Sequence, residues 1–317
     1  MIRILANDGI AEDGKTLLEE AGYEVVTEKV AQEDLATELP NYDAIIVRSA
    51  TKVRKELIDQ CPRLQVIARA GVGLDNIDHD YARSIGRTVV NTPAASSQAV
   101  AELVFTHFFS LARFVHQSNR QLPAADSDFK ALKKSYSKGV QLRGKTLGII
   151  GFGRIGVEAA RIGLALGMKI MPVDLHVESR ELEIDLHAAP DVKLKVTVET
   201  VEMEEMITAA DFITIHVPSL KGALIGAEEL KKMKNSAIIV NTARGGVIDE
   251  EALIAALDAG EIAGAGLDVF INEPTPDRHL LEHPRLSVSP HIGASTQEAQ
   301  RNIGLELADQ ILAHFGA

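Results

Sequence analysis

Residues 145–174 constrain the fold more than any other stretch of the chain. They read KTLGIIGFGRIGVEAARIGLALGMKIMPVD. The apolar run from Thr146 to Ile150 predicts a strand, which passes directly into Gly151-Phe-Gly153-Arg-Ile-Gly156 and then into an amphipathic run predicted to be helical. A second apolar run, Lys169 to Val173, ends on Asp174. Strand, glycine turn, helix, and a second strand closed by an acid together form the pattern of a dinucleotide site. Gly151 suits a tight turn, Gly153 lets the backbone approach a pyrophosphate, and Gly156 lets the helix sit close on its strand. The N–H groups near Arg154 and Ile155 would then face an anion with the helix dipole behind them. Asp174 lies about 20 residues beyond the glycines, where a carboxylate accepts from both ribose hydroxyls. Its charge would repel a 2′-phosphate, and Leu175 and His176 follow it in place of an Arg. The expected cofactor is therefore NAD rather than NADP.

At 317 residues the chain suits two domains. Net charge is −12, which argues against a nucleic-acid or anionic-membrane partner. It also means that an anionic substrate must be held by locally placed cations. No apolar run approaches the ~18 residues of a membrane helix. MIRILAND reads as a strand that starts at once, with no signal peptide, so a cytoplasmic location is expected. The single cysteine, Cys61, excludes an internal disulfide and reads as structural.

Ahead of the fingerprint, candidate strands at Ile2–Ala6, Tyr23–Thr27, Ala44–Val47, Gln65–Ala68 and Thr88–Val90 alternate with helical patterns, an α/β unit of its own. Arg48-Ser49 ends one of these strands and Arg69-Ala-Gly71-Val-Gly73 another. Open α/β sheets bind ligands at the carboxyl ends of their strands, so both are candidate site loops, and glycines 71 and 73 are expected to expose successive N–H groups to a carboxylate. Plain turn glycines and a surface Arg are the alternative. Ser96 to Arg120 reads as one long helix with a Ser cap, and Gln121–Arg143 as a polar surface connection. Beyond Asp174, residues 176–205 read as irregular and acidic. Strands are expected again at Phe212–His216, Ala237–Asn241, Ala263–Leu267 and Leu286–Ser289. Helices are expected at Ala227–Met233, Glu250–Asp258 and Thr296–Phe315.

Hydride transfer from an alcohol needs a base for the hydroxyl proton and a cation for the substrate carboxylate. The late strand ends carry both residue types: Arg244 in Asn241-Thr-Ala-Arg244-Gly-Gly, Glu273 in Asn272-Glu-Pro274, and His291 in Ser289-Pro-His291-Ile-Gly. A carboxylate beside a histidine fixes its tautomer and favours the imidazolium. Each of the three also has a routine loop reading. The other nine histidines are read as structural, although His216, next to Pro218 at a strand end, could line the cofactor site through its backbone. His279-Leu-Leu-Glu282-His283 has the spacing of some zinc sites, but Pro276 and Pro284 bracket too short a helix and no third ligand is evident; no metal is expected.

The runs VRSATKV (47–53), RAGVGLDNID (69–78), GKTLGIIGFGRIG (144–156), NTARGGVIDE (241–250), LDVFINEP (267–274) and PHIGASTQEAQ (290–300) together resemble the D-isomer-specific 2-hydroxyacid dehydrogenases, over essentially the whole chain. The resemblance is to the phosphoglycerate branch of that family. It implies two Rossmann-like or flavodoxin-like doubly wound parallel-sheet domains with a cleft between them. The substrate domain would be residues 1–95 plus 290–317, and the NAD-binding domain residues 96–289. It also implies a homodimer through the NAD domain and hinge closure around the substrate. By position, the catalytic set of the family matches Arg244, Glu273 and His291. Asp268 matches the residue that holds the nicotinamide carboxamide, and Val72, Val217, Thr242, Ala243 and Gly293 match positions around the cofactor. Arg48, Ser49 and Lys134 are the expected contacts to a substrate phosphate, with Arg244, His291 and the Val72-Gly73 backbone toward the carboxylate and hydroxyl.

The activity so implied is NAD-dependent oxidation of 3-phospho-D-glycerate to 3-phosphohydroxypyruvate, the first step of serine biosynthesis. Reduction of glyoxylate, hydroxypyruvate or another 2-keto acid uses the same motifs. An NAD-sensing corepressor built on this fold is a third reading, disfavoured by the acidic charge and the lack of docking extensions. Ala94-Ala-Ser-Ser97 departs from the Asn/Gly-rich run common in the phosphoglycerate branch, and the 175–205 segment is about ten residues longer than usual. No regulatory serine-binding domain follows the final helix, so control by serine is not expected.

Overall fold

A computed structural model describes residues 1–185, 188, 189 and 191–316. Residues 186, 187 and 190, within the expected 175–205 segment, and residue 317, at the end of the expected 290–317 segment, lie outside the described residues. The chain divides into two compact units, Met1–Ala99 with Ala294–Ala317, and Val100–Gly293.

The first unit carries β1 (Arg3–Ala6), β2 (Glu24–Val26), β3 (Ala44–Val47), β4 (Val66–Arg69) and β5 (Thr88–Asn91). They form one parallel sheet in the order β2-β1-β3-β4-β5. The central strands are apolar throughout because both faces are covered. Alternate residues serve opposite faces. Leu5, Ile45, Val47 and Ile67 pack with Leu35, Leu39, Leu57 and Ile58. On the other face, Ile4, Ala44, Ile46 and Val66 pack with Leu18 and with Ile303, Leu307 and Ile311 of the helix Gln297–Phe315. Thr296 caps that helix, accepting from the Ala299 N–H at 3.1 Å. Cys61 is fully buried in the first cluster, and burial pushes its thiol up to about 11, which leaves it inert.

The second unit carries β6 (Thr146–Ile150), β7 (Lys169–Val173), β8 (Ser179–Asp185), β9 (Lys193–Glu199), β10 (Phe212–Ile215), β11 (Ile238–Asn241), β12 (Gly264–Leu267) and β13 (Leu286–Val288). Six of these form a parallel sheet in the order β13-β12-β11-β10-β6-β7. Its two faces bury Ile213, Ile239 and Leu267 on one side, and Leu147, Ile149 and Val240 on the other. Strand order reverses between β1 and β3 in the first unit and between β6 and β10 in the second. The carboxyl ends of those strand pairs are where doubly wound sheets place ligands. Among the described residues, no helix is long and apolar enough to cross a membrane.

Two expectations are corrected. The stretch after Asp174 is not irregular: β8 and β9 pair antiparallel in the register Ser179↔Glu199 to Asp185↔Lys193. Its alternating pattern explains this, because Leu182 and Val198 turn inward onto the core beside Ala159 and Ala160 while charged residues face out. Burying each such side chain contributes roughly 1.5–3 kcal/mol. Outside, Lys195 meets Glu181 at 2.7 Å and Lys193 pairs with Glu183. The predicted helix from Ser96 to Arg120 is likewise two helices, Ser97–Ala112 and Val115–Gln121. Phe114 breaks it with φ +57°, stacking on Tyr136 at 5.5 Å, and the Ala112 carbonyl accepts from Val140 N–H at 2.9 Å instead of continuing the helix.

Candidate active site

At the end of β6 the chain turns through Gly151, whose φ of +93° lies in the region that favours glycine. A Cβ there would overlap the carbonyl of His216, so the turn lies directly against the end of β10. Gly153 then caps the helix Arg154–Ala165 with no side-chain acceptor on its first turn. The N–H groups at the start of that helix, near Arg154 and Ile155, therefore point outward uncapped. A Cβ at Gly153 would meet nothing within 4 Å, and Gly153 and Arg154 are exposed. Gly156 is buried, and a Cβ there would overlap the Gly151 carbonyl. An open glycine before an uncapped helix fits a pyrophosphate. Asp174 completes the turn: its carboxylate accepts from Phe152 N–H at 2.7 Å and from His176 N–H at 2.9 Å. Burial alone would raise its pKa, but the N–H groups of His176 and Phe152 hold it below the usual carboxylate value. It is thus ionised, with lone pairs left for ribose hydroxyls.

Two polar atoms at neighbouring strand ends also fit a ligand. His216 follows β10, its Nε2 lies 3.0 Å from Thr214 Oγ1, and its buried Nδ1 has no partner among the described residues. Burial pushes this imidazole down to about 3, so it is neutral. Thr242 follows β11, and its buried Oγ1 is likewise without a partner among the described residues. Buried polar atoms left unpaired are costly, so they mark places where a bound group completes the structure. Val217 and Pro218 continue from His216 into the surface, while Ala243 is buried behind Thr242.

Asp268 follows β12 and is 1% exposed. Its Oδ1 accepts from Ser289 Oγ–H at 2.6 Å and Ile292 N–H at 2.9 Å, and its Oδ2 from Gly293 N–H at 2.9 Å. Burial raises its pKa, opposed by these donors. Its backbone carbonyl accepts from His291 N–H at 2.8 Å. One residue thus fixes the whole loop from Ser289 to Gly293, and this holds His291 in a left-handed conformation at φ +54°. That conformation costs a non-glycine residue about 1 kcal/mol and persists only where its surroundings determine it.

His291 Nδ1 lies 2.7 Å from Glu273 Oε2, with both side chains partly exposed. Glu273 Oε1 accepts from Phe270 N–H at 3.0 Å. Nδ1–H thus donates to the carboxylate and Nε2 is left as the acceptor. Arg244 sits in the turn after β11, its Nη1 donating to the Ala243 carbonyl at 2.6 Å. Asn241 builds this turn, accepting from Ala243 N–H at 3.0 Å and donating to the Arg244 carbonyl at 2.8 Å. A Cβ at Gly245 would overlap the carbonyl of Phe270. The Arg244 turn therefore lies against the loop that runs on to Glu273. Glu250, accepting from Ile271 N–H at 2.8 Å, ties the same loop to the helix Glu250–Ala259.

The first unit holds the remaining predicted residues except Lys134. Arg48 is half-buried and Ser49 exposed, in a loop clamped from below: Asp8 accepts from Arg48 N–H at 2.8 Å and Thr51 N–H at 3.1 Å, while Asn76 donates to both their carbonyls. The expected run of exposed N–H groups at 71–73 is shorter than predicted, because Gly71 N–H is taken by Thr92 Oγ1 at 3.0 Å. Val72 and Gly73 follow it, and Asn91 holds the Val72 carbonyl at 2.6 Å. Lys134 is exposed on the helix Phe129–Ser135 of the second unit, apart from the strand-end loops in sequence and element.

Sequence reading passed over Asp8, Asn241, Gly245 and Ser289. A polar residue closing an otherwise apolar strand, as at Asn7-Asp8 and Asn241, was the available signal. Gly245 showed only as half of a Gly-Gly pair.

The family model for the D-isomer specific 2-hydroxyacid dehydrogenase NAD binding domain matches residues 105–293. The chain is 42% identical to the hydroxypyruvate reductase of Thermotoga maritima, over 99% of its own length and 98% of that protein. It is 41% identical to the D-3-phosphoglycerate dehydrogenase of Methanocaldococcus jannaschii over 98% of its length, but spans only 57% of that relative. Among solved structures, the NAD+-bound 3-phosphoglycerate dehydrogenase of Entamoeba histolytica superposes with a TM-score of 0.78 at 28% identity, covering 99% of this chain and 95% of that one.

Proposed function

Because this chain belongs to the D-isomer specific 2-hydroxyacid dehydrogenases, a family of NAD-dependent oxidoreductases, we propose that it oxidises 3-phospho-D-glycerate to 3-phosphohydroxypyruvate, the reaction that opens serine biosynthesis. The observation that carries the chemistry is the 2.7 Å contact of His291 with Glu273. Nε2 of His291 takes the substrate hydroxyl proton. Glu273 holds the ring by Nδ1 and balances the imidazolium that forms. Arg244 binds the carboxylate and polarises the carbonyl as it develops. Bound NAD supplies the hydride acceptor. Its pyrophosphate is assigned to Gly153, Arg154 and Ile155, its ribose to Asp174, and its nicotinamide end to His216, Val217, Pro218, Thr242, Ala243, Asp268 and Gly293.

The phosphate is assigned to Arg48, Ser49 and Lys134. The clamped Arg48 loop supports this, since a fixed backbone aims a cation at a dianion. A second reading, reduction of hydroxypyruvate or glyoxylate, is favoured by the relative that the chain matches over nearly its full length. The ratio of kcat/KM for phosphohydroxypyruvate to that for hydroxypyruvate separates the two. A preference of tenfold or more for the phosphorylated acid is expected, and no preference sinks the phosphoglycerate reading. We also assign the protein to the cytoplasm and to a homodimer through the second unit. The exposed apolar side chains of Phe109, Val115, Leu122 and Phe129 in that unit support the dimer. Light scattering at one subunit mass would overturn it.

A further inference from the structure

His107 stands on the helix Ser97–Ala112 at 3% exposure, far in sequence from every residue named in the chemistry. Both ring nitrogens are engaged by hydroxyls: Nδ1 lies 2.9 Å from Ser287 Oγ, and Nε2 lies 3.0 Å from Ser289 Oγ. Ser289 spends its one proton on Asp268 Oδ1 at 2.6 Å, so it must accept from His107. That fixes the order of donors: Ser287 O–H to Nδ1, Nε2–H to Ser289, Ser289 O–H to Asp268. Burial, which pushes the imidazole down to about 4, keeps the ring neutral as this order requires.

The ring is also fixed in space. A Cβ at Gly266 would lie 2.8 Å from the His107 Cβ, so β12 has room beneath the helix only because residue 266 is glycine. Asp268 begins the loop leaving that same strand. Helix, strand β12 and strand β13 are therefore joined at one buried polar line that terminates on the Asp268 carboxylate.

We propose that His107 is a positioning residue that orients Asp268 through Ser289, and thereby sets the affinity of the site for the nicotinamide end of the cofactor. The proposal rests on the assignment of Asp268 to the nicotinamide carboxamide. A neutral imidazole in one tautomer is a directional donor that a hydroxyl alone, free to rotate, is not.

The test titrates the purified protein and its variants with NAD and with ADP-ribose, which lacks the nicotinamide. In His107→Phe the ring volume stays and the donor goes. NAD binding is expected to weaken about tenfold, the effect of misdirecting one charge-assisted hydrogen bond, with ADP-ribose binding unchanged. His107→Gln, which places an amide donor near the position of Nε2, is expected to recover most of the loss. Equal weakening of both ligands, or of neither, overturns the proposal. If His107→Phe does not fold, Ser287→Ala removes the hydroxyl that anchors Nδ1 and holds the ring in place, and a loss of NAD affinity that ADP-ribose does not share is required there too. Asp268→Ala separates the two layers. A selective NAD loss in Asp268→Ala without one in His107→Phe overturns the role of His107 alone, whereas no selective loss in Asp268→Ala overturns the assignment of Asp268 and this inference with it.

Discussion

The Nδ1 of His291 and the Oε2 of Glu273 are 2.7 Å apart, on loops that leave two different strands. The pair is held from both sides. Phe270 N–H occupies the other oxygen of Glu273, and Asp268 takes the backbone of His291. In the proposed mechanism, a general base held this way is fixed before any substrate arrives, which is what a low barrier to proton transfer requires.

Replacing His291 by Gln keeps the ring-sized polar group and removes the base. We expect kcat to fall by ~10²–10⁴ with NAD affinity retained. Glu273→Gln, which keeps an acceptor for Phe270 N–H but loses the charge, is expected to lose less. Single-turnover kinetics reads both, and near-normal turnover in His291→Gln would remove His291 from the mechanism.

Gly245 is the point where the Arg244 turn touches the Phe270 backbone. In Gly245→Ala the two loops must part. The overlap should cost about 1–3 kcal/mol of stability. A displacement of the order of 1 Å at Arg244 should lower kcat/KM about a hundredfold. Urea unfolding and steady-state kinetics on one preparation check both numbers, and an unchanged kcat/KM would show that the contact does not aim Arg244.

The proposed assignment of Asp174 to the ribose makes the choice between cofactors a matter of its charge. In Asp174→Ala the ribose loses an ionised acceptor, so kcat/KM with NAD should drop about tenfold or more while the preference over NADP shrinks. Phe152 and His176 N–H lose their acceptor too, so a fall in melting temperature should accompany it. A wild-type protein that uses NADP as well as NAD would contradict this reading of the carboxylate.

Acid should unfold the protein in part through His107. Its folded-state pKa, pushed down to about 4, lies below the value near 6.5 of an unfolded histidine. Above pH 6.5 neither state is protonated and the full stability is present. Between pH 6.5 and 4 the unfolded chain takes up a proton that the folded one refuses, so stability falls as pH falls, by at most about 3 kcal/mol from this residue. Chemical denaturation from pH 7 to 4 should therefore show a shallower loss in His107→Gln than in the wild type. Parallel curves would mean that the ring is not shielded.

The parallel strands were legible because a strand buried on both faces is a short continuous apolar run, as in Ala44–Val47 or residues 238–240. The β8–β9 hairpin was not. Among the described residues, only Leu182 on one strand and Val198 on the other are deeply buried, so charge hides the alternation. The break at Phe114 depends on a ring 22 positions away, Tyr136, and no local breaker marks it. In the site, Arg244, Glu273 and His291 stood out as charged residues after apolar strands. Their supports did not. Ser289 and His107 are 182 positions apart, and their pairing exists only once β13 lies beside β12 under the helix.

The first unit draws on both ends of the described chain, and this has a consequence for how the protein is made. One face of its sheet, with Ile4, Ala44, Ile46 and Val66, is closed by Ile303, Leu307 and Ile311. That helix emerges from the ribosome roughly 200 residues after β5. At ~5–20 residues per second the interval is about ten to forty seconds. Throughout it the early strands have only the helix Glu12–Glu20, through Leu18, on that face, whereas every strand of the second unit is synthesised within the interval. The nascent chain must keep its opening segment from aggregating while its middle folds, so a translation arrest just before residue 297 leaves a folded cofactor-binding half tethered to a sticky, unfinished sheet.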